Sequence, residues 1–169
     1  MGGIAHSIVP GARLVRGYAE GMLKDVKPSD FGRLARGVQS NHPAWVYGHL
    51  SVYPDRIAEM IGRKDLARPD ERYSRLFANK TESVDDPSGT IYPPMKEITD
   101  RFFTLTDAVM AAVAETTDEV MLRAITGDSM AERLPTVGSR VAFLLQGHPM
   151  SHLGQVSAWR RFMGLGPVF

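Results

Sequence analysis

Val137–Met163 reads VGSRVAFLLQGHPMSHLGQVSAWRRFM, and its apolar residues recur at Val137, Val141, Leu144/Leu145, Val156, Trp159 and Met163. That spacing of three and four is the period of one helix face. The same stripe runs through His148 and His152, and side chains four apart on a helix stand one above the other. Two imidazoles therefore look toward the core. A buried imidazole needs hydrogen-bond partners or a metal to offset its desolvation.

Three other segments carry the same period. From Ile4 to Val26 the stripe is Ile8, Ala12, Val15, Ala19, Met22 and Val26, with Pro10 near the start and His6 off the stripe, hence solvated. Gly17 and Gly21 either allow a close helix contact or are weak surface positions. In NHPAWVYGHLSVYPDRIAEMIG, Pro43 suits the first helical position, His42 or Asn41 the cap, and Gly62 the stop. Its inward stripe is Val46, His49/Leu50, Tyr53, Ile57 and Met60/Ile61, and Pro54 predicts a kink. Met95–Glu115 is the third long helix, ended by Thr116-Thr117-Asp118. The fourth runs from Pro135–Thr136 to Gly164, with a kink or bulge predicted near Leu145–Pro149 because a proline ring collides with the carbonyl four residues back. Short helices are expected over Glu71–Phe77 and Glu119–Ile125.

The stretch from Arg63 to Pro94 is too long to join neighbouring antiparallel helices and suits a crossover over a bundle end. The expected architecture is all-α: a four-helix bundle with one long crossover, a single domain over residues 1–169.

Composition removes several classes. The formal net charge of +1 is made of interspersed charges, so nothing resembles a nucleic-acid footprint. No apolar run approaches about 18 residues, so no membrane span is expected. The N-terminal MGGIAHSIVPGARL lacks the pattern of a signal peptide, and a cytoplasmic location is expected. Cysteine is absent. Disulfides, thiolate metal ligands and a protein-borne sulfur nucleophile are thereby excluded, and any thiol chemistry must use a thiol that a ligand brings.

Three of the five histidines, His49, His148 and His152, fall on inward stripes. The pair four apart offers two nitrogens to one point, and a third from a facing helix completes one face of a coordination sphere with positions left open. Such ligands must be neutral, so metal binding is expected to weaken below about pH 6.5. His42, one heptad before His49, reads as a cap or a rim residue. No histidine has a Glu three residues before it, as carboxylate-bridged di-iron bundles require. Pro149 stands where a zincin helix keeps its Glu base. The set describes a Lewis acid without a built-in base, which suits a substrate needing only a lowered pKa, a thiol above all.

The motifs NHPAWVYGHL and GHPMSHLGQVSAWRRFMGLG, with LFANKTESVDDPSGTIYPP between them, resemble the DinB/YfiT-like superfamily of metal-binding four-helix bundles. The resemblance implies a divalent metal, zinc or nickel, on His49, His148 and His152, a possible homodimer, and a small-molecule substrate. It also implies transfer of a low-molecular-weight thiol of the bacillithiol, mycothiol or glutathione type to an electrophile. Gln155, His42 and Tyr53 are the residues assigned to supporting the ligands or binding substrate, and Tyr73 and Tyr92 either cover the pocket mouth or pack. Pro149 departs from the family's usual helix-compatible residue. Two other readings stand beside the transferase: a metal-dependent hydrolase of a small ester or amide with Glu59 or Asp55 as its water base, and a non-catalytic metal- or ligand-binding stress protein.

Overall fold

Pro54 and Pro149 each divide one of the four expected rods in the computed structural model, which describes residues 2–127 and 129–168. Met1 and Phe169, the ends of the expected domain, lie outside the described residues, as does Asp128. The helices are α1 Gly3–Gly21, α2 Pro43–Leu50, α3 Tyr53–Met60, α4 Glu71–Phe77, α5 Met95–Glu115, α6 Asp118–Leu122, α7 Val137–Ala142 and α8 His148–Phe162. Among the described residues, extended pairing is limited to the bridge Ala124–Thr136. The fold is all-helical. No helix among these residues is long and apolar enough to cross a membrane.

Four rods carry the architecture: α1, α2–α3, α5 and α7–α8. The long α5 lies against α1, α2 and α3, while α8 lies against α1 and α2. The third and fourth rods thus each stand between α1 and the α2–α3 rod. The crossover contains a 3₁₀ turn, Lys64–Leu66, and α4, which packs on α2.

Several local expectations are corrected. The first helix ends at Gly21, not Val26. Asp25 takes a left-handed backbone with φ 61°, and the buried Arg160 guanidinium donates to the carbonyls of Met22 and Lys24, which a longer helix would leave to its own amides. Asp118, expected in a helix break, opens α6 and receives the Gly3 and Ile4 amides at 2.9 Å, capping α1 from across the fold. The short helix placed over Glu119–Ile125 accordingly spans Asp118–Leu122. Of the two readings left open for Gly17, the structure supports the surface one, since it faces open space; it is at Gly11 that an added Cβ would collide, there with the Gln146 side chain. Helix α2 is buried on every face rather than along one stripe, because α4 covers its outer side. A Cβ on Gly48 would overlap the Phe77 ring.

The fourth rod bends as expected, by a π segment. Phe143–Gly147 has π geometry, and the His148 amide donates to the Phe143 carbonyl five residues back. One residue is looped in just before Pro149, so the proline ring meets a widened turn.

Two apolar clusters fill the interior. One gathers Trp45, Leu50, Phe77, Phe102, Leu153 and Trp159; the other gathers Ile8, Ile57, Val109, Val141, Leu144 and Leu145. Along the fourth rod the boundary falls between Leu145 and Leu153, and along α2–α3 between Leu50 and Ile57. The inward histidines sit on this seam.

The loop after α4 is tied down by Asp86, whose carboxylate accepts the amides of Thr90, Ile91 and Tyr92 at 2.9–3.1 Å. Tyr92 accepts the Val84 amide at 2.9 Å and stacks on Phe77. Tyr73 packs on Phe77 and under Arg101. Both tyrosines are packing residues. His42 is fully buried: its Nδ1 accepts the Trp45 amide at 3.2 Å, capping α2, and its Nε2 donates to the Val84 carbonyl at 2.9 Å.

Burial pushes the His42 pKa down to about 4. Between about pH 6.5 and 4 the unfolded chain binds this proton and the folded chain does not, so stability is full above pH 6.5 and falls as pH drops through that window. His42→Asn keeps a cap acceptor but removes the titration. Chemical denaturation of metal-free protein should show the variant losing about 2 kcal/mol less than wild type between pH 7 and 5.

Candidate metal centre

The π segment and Pro149 set the start of α8, and with it the direction of His148. His152 follows one turn later, and His49 enters from the last turn of α2. Their ligand atoms all lie within 4.8 Å of one another. His49 is buried, and His148 and His152 are half-buried.

Each ring is held differently. His49 Nδ1–H donates to the Phe77 carbonyl at 2.7 Å, and the ring stacks on Trp45 at 4.6 Å with planes 10° apart. His152 Nδ1–H donates to Gln155 Oε1 at 3.1 Å, an oxygen that also accepts Asn41 Nδ2 at 2.9 Å. These bonds fix both tautomers and leave both Nε2 atoms as bare lone pairs. His148 differs. Its Nδ1 is buried without a partner, and its Nε2 faces His49 Nε2 at 3.2 Å. Two nitrogens so placed need a proton or a cation between them.

The set fits a metal. With zinc–imidazole bonds of about 2.0–2.1 Å, two ligands of a tetrahedral site stand about 3.3 Å apart, close to the 3.2 Å seen between His49 and His148. An all-nitrogen, uncharged donor set suits zinc, nickel or a similar transition ion and does not suit calcium or magnesium. Burial is the main cause that pushes His49 to about 4 and His148 to about 3, and it lowers His152 as well. All three rings are therefore neutral, with lone pairs available, at physiological pH.

Of the other residues expected here, Gln155 touches the site through His152. The Tyr53 ring lies against His148 at 4.4 Å and His49 at 5.0 Å. Burial raises its pKa, so it stays a phenol. His42 is not part of the cluster; it reaches the site only by capping the helix that carries Trp45 and His49. Asp55 Oδ1 accepts the Arg68 amide at 2.7 Å and Oδ2 lies 3.9 Å from Arg101, while Glu59 is exposed, so neither carboxylate is held at the site. His6 is exposed on α1.

Sequence reasoning missed Trp45, Asn41 and the Phe77 carbonyl. Trp45 lies four residues before His49, and helical spacing alone could have shown that stack. The other two carry no local signal, since they depend on which segments meet.

The fold is a helical bundle with three inward histidines on its second and fourth rods, and the three form a group that can bind a metal ion. The sequence profile of the DinB superfamily matches residues 13–156. The chain belongs to the DinB superfamily. Among curated proteins and among solved structures, nothing matches it.

Single replacement of His49, His148 or His152 by alanine should strip metal from protein purified without a histidine tag, whereas His6→Ala should not; elemental analysis decides. Protons should begin to compete near the lowered pKa values, so affinity holds to about pH 5 and falls toward 4, below the window expected for exposed imidazoles. Equilibrium dialysis across pH 4–7.5 reads this. Gln155→Ala should weaken metal binding ~10–100-fold, and Gln155→Glu, which keeps an acceptor for His152, should weaken it less.

Proposed function

We propose that this chain is a metal-dependent transferase that joins a low-molecular-weight thiol to a small electrophile, with zinc or nickel held by His49, His148 and His152. The observation that carries this reading is the neutral tri-histidine group with, among the described residues, no carboxylate base held beside it. A metal there keeps its full positive charge and supplies one thing: it lowers the pKa of a thiol, ordinarily about 8.5, so that sulfur is ionised at neutral pH. Hydrolysis would further need a base or proton shuttle for water, and Asp55 and Glu59 are engaged or turned away.

The chain's own groups do the rest. His49 and His152 are locked by the Phe77 carbonyl and Gln155, so their lone pairs are set before substrate arrives. The seam between two apolar clusters limits water around the sulfur, and the Tyr53 ring walls it beside His148 and His49. In the step itself the thiol proton leaves to solvent, sulfur forms the carbon–sulfur bond, and the leaving group departs with its electron pair.

Metal-loaded protein should turn over monochlorobimane or chlorodinitrobenzene with bacillithiol, mycothiol or glutathione, above a His152→Ala control, and should not cleave activated esters. Ester cleavage without thiol would establish the hydrolase instead. Silence in every assay would leave a metal- or ligand-binding protein.

A further inference from the structure

One ring away from the centre stands a cation that makes no ion pair among the described residues. Arg56 is exposed on α3, and its guanidinium stands 5.2 Å over the Tyr53 ring. That ring in turn lies 4.4 Å from His148. Among the described residues Arg56 makes this ring contact and no hydrogen bond or ion pair. Its neighbours are otherwise occupied: Asp55 by the Arg68 amide and Arg101, Asp70 by capping α4 through the amides of Arg72 and Tyr73. The cavity beside it, about 200 Å³, is lined by Tyr53, Ser74 and Asn79, by the guanidiniums of Arg56 and Arg101, and by the two carboxylates already engaged, Asp55 and Asp70.

Arg56, one ring away from a neutral-ligand cation site, is a guanidinium that keeps its donors unused among the described residues. It draws anions by long-range attraction and offers one of them a forked pair of donors. The two ring steps bound the separation of guanidinium and His148 imidazole at about 10 Å. A thiol with its carboxylate one extended residue from sulfur, roughly 3.5 Å per residue, can engage both ends.

We propose that Arg56 is the carboxylate anchor of the thiol cosubstrate, so that the site selects thiols bearing a carboxylate near sulfur over neutral thiols of equal size. Arg56 positions the thiol and does not touch the reacting atoms. The inference rests on the thiol-transferase reading above.

The test is isothermal titration calorimetry of the zinc-loaded chain with N-acetylcysteine and N-acetylcysteine amide, which differ in the carboxylate. Wild type should prefer the acid ~10-fold, and the preference should shrink as ionic strength rises from 0.01 to 0.15 M, where the Debye length falls from about 30 to 8 Å. Arg56→Ala should abolish both the preference and its salt dependence. Arg56→Lys, keeping the charge but not the fork, should retain part of the preference. Circular dichroism melts confirm that these variants of an exposed residue fold. If Arg56→Ala keeps the full preference, for instance because the carboxylate chelates zinc, the anchor assignment is overturned and the thiol reading stands. If neither thiol binds zinc-loaded wild type, both fall together.

Discussion

The 2.7 Å hydrogen bond from His49 Nδ1 to the Phe77 carbonyl decides which nitrogen of His49 faces the centre, and it can form only because position 48 has no side chain. Gly48 lets the Phe77 ring lie directly on α2. A methyl group there would push α4 outward and carry the accepting carbonyl with it. The crossover therefore bears on the site as well as on the topology. Tyr73 and Tyr92 flank Phe77, and Asp86 gathers the backbone that holds Tyr92. Through this chain of contacts a loop far from the histidines in sequence fixes one of their tautomers.

On the opposite side the same task falls to backbone geometry. In a straight helix Pro149 would cost roughly 3 kcal/mol by its collision with the preceding turn. The π segment accepts an extra residue instead, and the Gln146 side chain donates to the Ile8 carbonyl at 2.7 Å, pinning the bulge to α1 where Gly11 leaves room. Widening a turn changes the angular position of everything after it. His148 and His152 are thus aimed by a proline that a regular helix would exclude, a local irregularity kept at the histidine cluster.

How much of this could be read beforehand follows from which interactions are local. The four rods were legible because apolar periodicity records the burial of a helix face, and the break at Pro54 and bulge before Pro149 because proline acts within one turn. His49, His148 and His152 were legible as polar residues on apolar stripes, two of them four apart. The end of α1 was not, since Arg160, 138 residues away from Met22, takes its terminal carbonyls. Nor was the all-round burial of α2, which requires knowing that α4 lands on Gly48. The Asn41–Gln155–His152 chain joins residues 114 apart, and Arg56 looked like any surface charge until Tyr53 was placed between it and His148.

Aiming three lone pairs at one point has an energetic consequence for the fold itself. The unpartnered Nδ1 of His148 costs about 1–3 kcal/mol. The seam also interrupts apolar packing that leucine or phenylalanine would continue. Against a total stability of about 5–15 kcal/mol, these are large terms. A cation bound there offsets them, adding about 4 kcal/mol when free metal exceeds its dissociation constant a thousandfold. Metal affinity and folding stability are then linked in this chain, because the elements that orient His49 are the crossover loop and α4, which have little core of their own. Loosening that loop must weaken the centre, and emptying the centre must loosen the loop; thermodynamic reciprocity allows neither without the other.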